Sequence, residues 1–211
     1  MTETKARIAP LQKKDAPAEA HPVFDFWGEQ DAWEKGAATH ISMTLANHPD
    51  LALAYYNFGK HVMVNSTLPL RPRELVTLRA SWLLKGEYEW HYHVGYALNL
   101  GMSLEEIAAV GNGPDAGNWG EEDRAVLRAT DEFIHGARLS DETWATLGKY
   151  FTQKQVMDLL FTIGNYVMLT GALNSFGVQL EKHADKIGYD LKTASGKTPA
   201  ATLKPGEKGR D

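Results

Sequence analysis

Residues 71–103 read RPRELVTLRASWLLKGEYEWHYHVGYALNLGMS. Leu75, Val76, Leu78, Trp82 and Leu83 recur at helical spacing and supply one apolar face. Pro72 suits the first turn of such a helix, and Glu74 beside it meets the positive end of the helix dipole. Lys85-Gly86 interrupts the pattern. From Tyr88 to Leu100 it resumes, apolar nearly all round, which predicts a buried helix. Gly101 follows as its C′ residue. The stretch therefore predicts two helices joined by a short turn. Set into it are Glu74, Glu87, Glu89, His91 and His93. No other segment gathers so many ionisable groups among apolar ones, so chemistry is expected here.

The flanking chain continues in helices. Residues 1–20, polar and rich in Ala and Pro, read as a mobile arm. His21-Pro-Val-Phe-Asp-Phe-Trp is an aromatic cluster suited to the core or to a partner subunit. Trp33–Asn47 and Leu51–Val64 carry helical patterns, the second restarted by Pro49. Ser103-Leu-Glu-Glu is a capping box opening a helix to Val110, and Thr152-Gln-Lys-Gln is another. Between them, Glu121–Ile134 and a segment from Ser140 to Tyr150 read as helices. Val156–Leu169 and Leu173–His183 follow. From about residue 190 the chain is rich in Lys, Thr, Gly and Pro and reads as a disordered tail. No β-hairpin signal occurs. The expected fold is all-α, one domain over residues 21–189. A faint echo of Arg73–Leu78 in Lys154–Leu159, and of Ala97–Gly101 in Ala172–Gly177, suggests a duplicated helical pair.

Composition excludes several classes. There is no cysteine among the 211 residues, so disulfides, thiolate metal sites and thiol redox chemistry have no residue to use. The formal charge of −5 comes without a basic stripe, against nucleic-acid binding. No run of about 18 apolar residues predicts a membrane span. No signal peptide is apparent, and a cytoplasmic location is expected.

The ionisable groups sort by spacing. Glu89 and His93 stand four residues apart on one helical face, where a carboxylate can orient an imidazole and raise its basicity. Such pairs also merely stabilise helix surfaces. Glu87 and His91 form a second pair on roughly the opposite side, better suited to a surface or interface. His91 and His93 point about 200° apart on a helix and cannot share one ion. Glu89 with His93 offers two ligands where zinc wants three or four, so no metal is expected. Tyr88, Trp90 and Tyr96 are candidate substrate-binding residues, with core packing as the plainer role.

Several pieces resemble the carboxymuconolactone decarboxylase family, which includes the alkyl hydroperoxidase D proteins. They are Leu70-Arg-Pro-Arg-Glu-Leu-Val, Glu87-Tyr-Glu-Trp-His-Tyr-His, Gly101-Met-Ser-Leu-Glu-Glu-Ile, Asp123-Arg-Ala-Val-Leu-Arg-Ala and Leu173-Asn-Ser-Phe-Gly. The redox members carry a glutamate, a Cys-x-x-Cys and a histidine four residues on. Anchored on His93, the resemblance puts the glutamate at Glu74 and the cysteine positions at Gly86 and Glu89. Acid and histidine are kept; both thiols are gone, and with them the dithiol cycle of a peroxidase. The resemblance implies an alkyl hydroperoxidase D-like helical bundle. It brings Glu74 to His93 from the neighbouring helix, making Glu74, Glu89 and His93 the catalytic candidates. It further implies cofactor-free acid–base lyase, decarboxylase or isomerase chemistry on a small carboxylic acid or lactone, in a homo-oligomer, trimer or hexamer. The competing expectation is a small-molecule-binding or assembly protein that kept the fold without the chemistry.

Overall fold

The computed structural model describes residues 5–12, 15–27, 39–116 and 119–181. Among these there are nine α-helices and no strand, as expected for an all-α fold. They are α1 (His21–Asp25), α2 (His40–Leu45), α3 (Pro49–Lys60), α4 (Leu70–Leu83), α5 (Glu87–Asn99), α6 (Leu104–Asn112), α7 (Glu121–Gly136), α8 (Asp141–Tyr150) and α9 (Gln153–Phe176). They divide into two compact units, one within residues 1–65 and 172–184, the other within 66–171.

The first unit packs Val23, Phe24, Ala46, Ala52 and Tyr56 into a small core. Phe26 and Trp27 lie against Tyr56, with ring centroids 5.3 and 5.6 Å away. The aromatic cluster thus serves the core of its own unit. The segment read as a mobile arm has backbone partners over residues 7–11: Arg7 and Ile8 N–H donate to Phe176 O, and Leu11 N–H donates to Met43 O. The start of the expected helix from Trp33 lies outside the described residues, as do His183 and the tail from residue 190.

The second unit is organised around α4. Every residue from Glu74 to Ser81 is buried, so this helix is enclosed on all sides. The expected roles of the two central helices are exchanged: α5, read as the buried one, leaves Tyr96 exposed, as is Leu100 just past its end. The reason lies in how α4 satisfies its polar groups. Thr77 Oγ1 donates to Arg73 O at 2.9 Å and Ser81 Oγ to Thr77 O at 2.7 Å. Their hydroxyls are spent on the helix's own backbone, so burying them costs little. Around α4 lie Trp90 and Val94 of α5, Ile107 and Val110 of α6, Val126 and Leu127 of α7, and Leu159 and Ile163 of α9. Each fully buried aliphatic side chain of this kind contributes about 1.5–3 kcal/mol.

Local signals set the helix ends. Ser103 and Glu106 form the reciprocal capping box of α6. Thr152 and Gln155 do the same for α9, through Gln155 N–H to Thr152 Oγ1 at 3.3 Å and Thr152 N–H to Gln155 Oε1 at 2.9 Å. Gly101 takes φ +85°, the left-handed conformation expected after a helix end. The last two expected helices are one, because Gly171 does not break α9; its end comes at Gly177, φ +69°. The second half of the internal echo therefore falls mostly within an unbroken helix. By length and composition α9 could cross a membrane, with mean hydropathy 1.4, but half of that window is buried inside the protein.

Candidate functional site

The turn between α4 and α5 places the site. Lys85 adopts φ 56°, and Gly86 follows it. A Cβ at Gly86 would lie 2.3 Å from Thr170 Cγ2, so only glycine lets the hairpin come this close to α9. Helical rise of about 1.5 Å per residue then brings positions on either side of the turn level with one another. Glu74 on α4 meets His93 on α5, and the ring of Tyr166 on α9 lies against His93.

His93 Nδ1 lies 2.6 Å from Glu74 Oε2, a short, charge-assisted hydrogen bond in which Nδ1–H donates to the carboxylate. That bond assigns the tautomer and turns Nε2 toward Glu89, whose Oε2 stands 3.6 Å away. The second distance is within ion-pair range but too long for a hydrogen bond. All three groups are buried, with Glu74 5%, Glu89 6% and His93 5% exposed. The imidazole sits between two tyrosines, edge-on to Tyr166 at 5.1 Å and to Tyr96 at 5.3 Å. Tyr166 is buried; Tyr96 is half-exposed and links the cluster to solvent.

Burial acts oppositely on the acid and the base. Loss of solvent pushes the Glu89 carboxyl up; His93's positive charge opposes this and Glu74's negative charge adds to it. For His93, desolvation is the largest single influence and pulls it down. The charge and hydrogen bond of Glu74, with the charge of Glu89, together outweigh it, and the imidazole is raised despite an opposing contribution from Arg73. Glu89 and His93 are therefore both raised, the one by burial and the other by its two carboxylate neighbours, with Nδ1 of the imidazole held by Glu74.

All three sequence-predicted catalytic candidates converge. Glu74 does not play the first-turn dipole role, because α4 begins at Leu70 and Glu74 lies beyond its first turn. The aromatic candidates separate. Trp90 is wholly buried in the core against Trp82, centroids 5.4 Å apart. Tyr88 is buried and stacks with Tyr92 at 5.0 Å. Tyr96 touches His93 and reaches solvent. Glu87 and His91 are half-buried outside the cluster. Tyr166 was not singled out in the sequence, where it is one more apolar position in the α9 run. Among the described residues no group of three or more acidic or histidine side chains has the arrangement to hold a metal ion. A cavity of about 390 Å³ lies elsewhere, lined by Phe133, Leu139, Trp144 and Leu160.

Fold and site together define a cysteine-free helical-bundle protein built around a buried acid–imidazole–acid cluster. The sequence profile of the Carboxymuconolactone decarboxylase family matches residues 49–132, the segment holding Glu74, Glu89 and His93. No curated protein matches the chain. Among solved structures, a peroxidase-related protein from Silicibacter is similar in fold (TM-score 0.69, 16% identity, covering 87% of this chain and 97% of that one). So is the alkylhydroperoxidase AhpD core of a peroxidase-related protein from Ralstonia eutropha (0.68, 16%, 83% and 93%). A third is the debrominase Bmp8 in complex with 2,3,4-tribromopyrrole (0.65, 20%, 85% and 94%).

Proposed function

We propose that this chain is a cofactor-free acid–base enzyme, a lyase, decarboxylase or isomerase acting in the cytoplasm on a small carboxylic acid or lactone. One observation carries the reading: His93 has Nδ1 fixed by Glu74 while Nε2 faces the Glu89 carboxyl across 3.6 Å. A neutral His93 takes a proton through Nε2 from a carbon next to a carbonyl. Glu74 stabilises the imidazolium that forms. Glu89, in its protonated form, donates to the carbonyl oxygen; as the product forms, Nε2–H returns its proton to carbon and Glu89 takes its own proton back from the enol oxygen. Tyr96 contacts the substrate from the solvent side. The debrominase similar in fold was solved with a small planar ring bound, which supports a small cyclic substrate here.

Because His93 is raised, it is a free base only at higher pH. The rate is expected to climb through an apparent pKa above the ordinary histidine value of about 6.5. A screen of small carboxylates and lactones should yield a turned-over compound. With that compound, His93→Gln should lower kcat/KM by about 10²–10⁴-fold, the usual contribution of a positioned acid–base group. Unchanged turnover in His93→Gln or Glu89→Gln would refute the mechanism. The depth of burial of all three groups favours a second reading, a binding protein that kept the fold. A compound that binds beside His93 and is never converted would establish it.

A further inference from the structure

We propose that Tyr96 is the gate of the site: a change of rotamer carries its ring off His93 and opens the path by which a small molecule reaches Nε2. The proposal rests on the reading of Glu74, His93 and Glu89 as the site. The imidazole is buried, and the groups around it differ in how far they can yield. Nδ1 is tied to Glu74 by the 2.6 Å hydrogen bond. Tyr166, edge-on at 5.1 Å, is buried on α9 and cannot leave without disturbing the packing around it. Tyr96 makes a matching contact, edge-on at 5.3 Å with the ring planes 81° apart, yet it is 49% exposed. Of the two rings that flank His93, it is the one with solvent to move into.

The helix itself puts Tyr96 in that place. Glu89, His93, Tyr96 and Leu100 follow one another in steps of four, three and four, a single stripe along α5 and its C-cap. Burial changes abruptly along the stripe. Glu89 and His93 are buried, whereas Tyr96 and, at 42%, Leu100 are exposed. The stripe therefore leads from solvent at the C-terminal end of α5 to the imidazole and the carboxyl, with Tyr96 at the boundary. Long side chains on a helix lean toward its N-terminus and cover the turn before their own Cα. For Tyr96 the residue three places back is His93. The cover is thus local to α5, and lifting it needs a new χ1 angle but no shift of helices. Half-exposed side chains make such rotamer changes readily, because the new position is in water and not among packed neighbours.

Modification of the full chain with diethyl pyrocarbonate, a small uncharged reagent that acylates the neutral imidazole, tests this. It needs no turnover, so a failed gate and a failed acid–base mechanism give different results. Rates are read at His93 by peptide mass spectrometry on their alkaline plateau, against the exposed His135 of the same molecule. In the wild type His93 should react at least tenfold more slowly than His135. Tyr96→Ala should raise the His93 rate at least tenfold relative to His135. Tyr96→Phe should leave it unchanged, because the ring and not the hydroxyl does the covering. Tyr96→Trp should lower it further, a direction that loosened folding would not produce. Amide exchange at the buried Val94 should be the same in Tyr96→Ala as in the wild type. A wild-type His93 as fast as His135 would overturn the proposal. So would a rate that Tyr96→Ala leaves unmoved, one that Phe and Ala raise alike, or a rise matched by an equal rise in exchange at Val94.

Discussion

Helix α4 buries two charged side chains barely more than a turn apart, and they are treated differently. Arg79 is closed. Its Nε and Nη2 form a fork onto Asp131 at 2.6 and 2.9 Å, while Nη1 donates to Val110 O at 3.0 Å and Gly111 O at 2.8 Å, capping the end of α6. The Glu74–His93–Glu89 cluster is open. It has one short bond and one gap, and two acids share a single imidazole. A closed network tells of architecture, because four of the guanidinium's five N–H donors are spent on the protein. An open one keeps a nitrogen and a carboxyl unspent at the same point, and that is where a proton or an incoming atom can be handled.

The largest effect should come from breaking the closed network. Arg79→Ala strands α6 carbonyls and leaves the Asp131 carboxylate without its partner. It is expected to cost about 3–5 kcal/mol in urea unfolding. A cost near zero would mean that the two networks are not different in kind. Next comes the turn that holds the open cluster. Gly86→Ala forces a methyl into Thr170 Cγ2 and should cost about 1–3 kcal/mol. Adding Thr170→Ala should recover most of it, since Thr170 Oγ1 has no hydrogen-bond partner to lose. Failure of that rescue in a double-mutant cycle would show that the contact is not what demands glycine.

Smaller still, Ser103→Ala removes the α6 cap that stands at the far end from Arg79, for about 1 kcal/mol. The subtlest test is a slope. Glu89 and His93 are both raised in the folded state, so the folded protein binds protons that the unfolded chain has released. Stability is then fullest below the unfolded values and falls as pH rises through the folded ones. For Glu89 the loss begins above about pH 4.3 and for His93 above about 6.5. Glu89→Gln should match the wild type near pH 4 and exceed it at neutral pH, with a flatter profile. Arg79→Ala should shift the curve down without removing that slope.

Much of this was legible in the sequence where the signal is local. The capping boxes at Ser103 and Thr152, the left-handed Gly101 and the hairpin at Lys85-Gly86 depend on residues within a few positions of one another. The i, i+4 spacing of Glu89 and His93 is equally local. The partnership of Glu74 with His93 was reached through resemblance, since no periodicity links positions nineteen apart. The enclosure of α4 was not legible: Thr77, Arg79 and Ser81 are polar, yet each is satisfied internally, and the helix is buried.

The sequence by itself determined the all-α class, most helix boundaries and the absence of thiol chemistry, because caps, breakers and composition act over one or two turns of chain. Tertiary structure alone decided which helix is central, that Tyr166 lies against His93, and that Trp90 belongs to the core. It alone decided that Glu89 faces Nε2 across a gap. These follow from how close two helices approach, and at Gly86 that approach is set by a single missing methyl against Thr170.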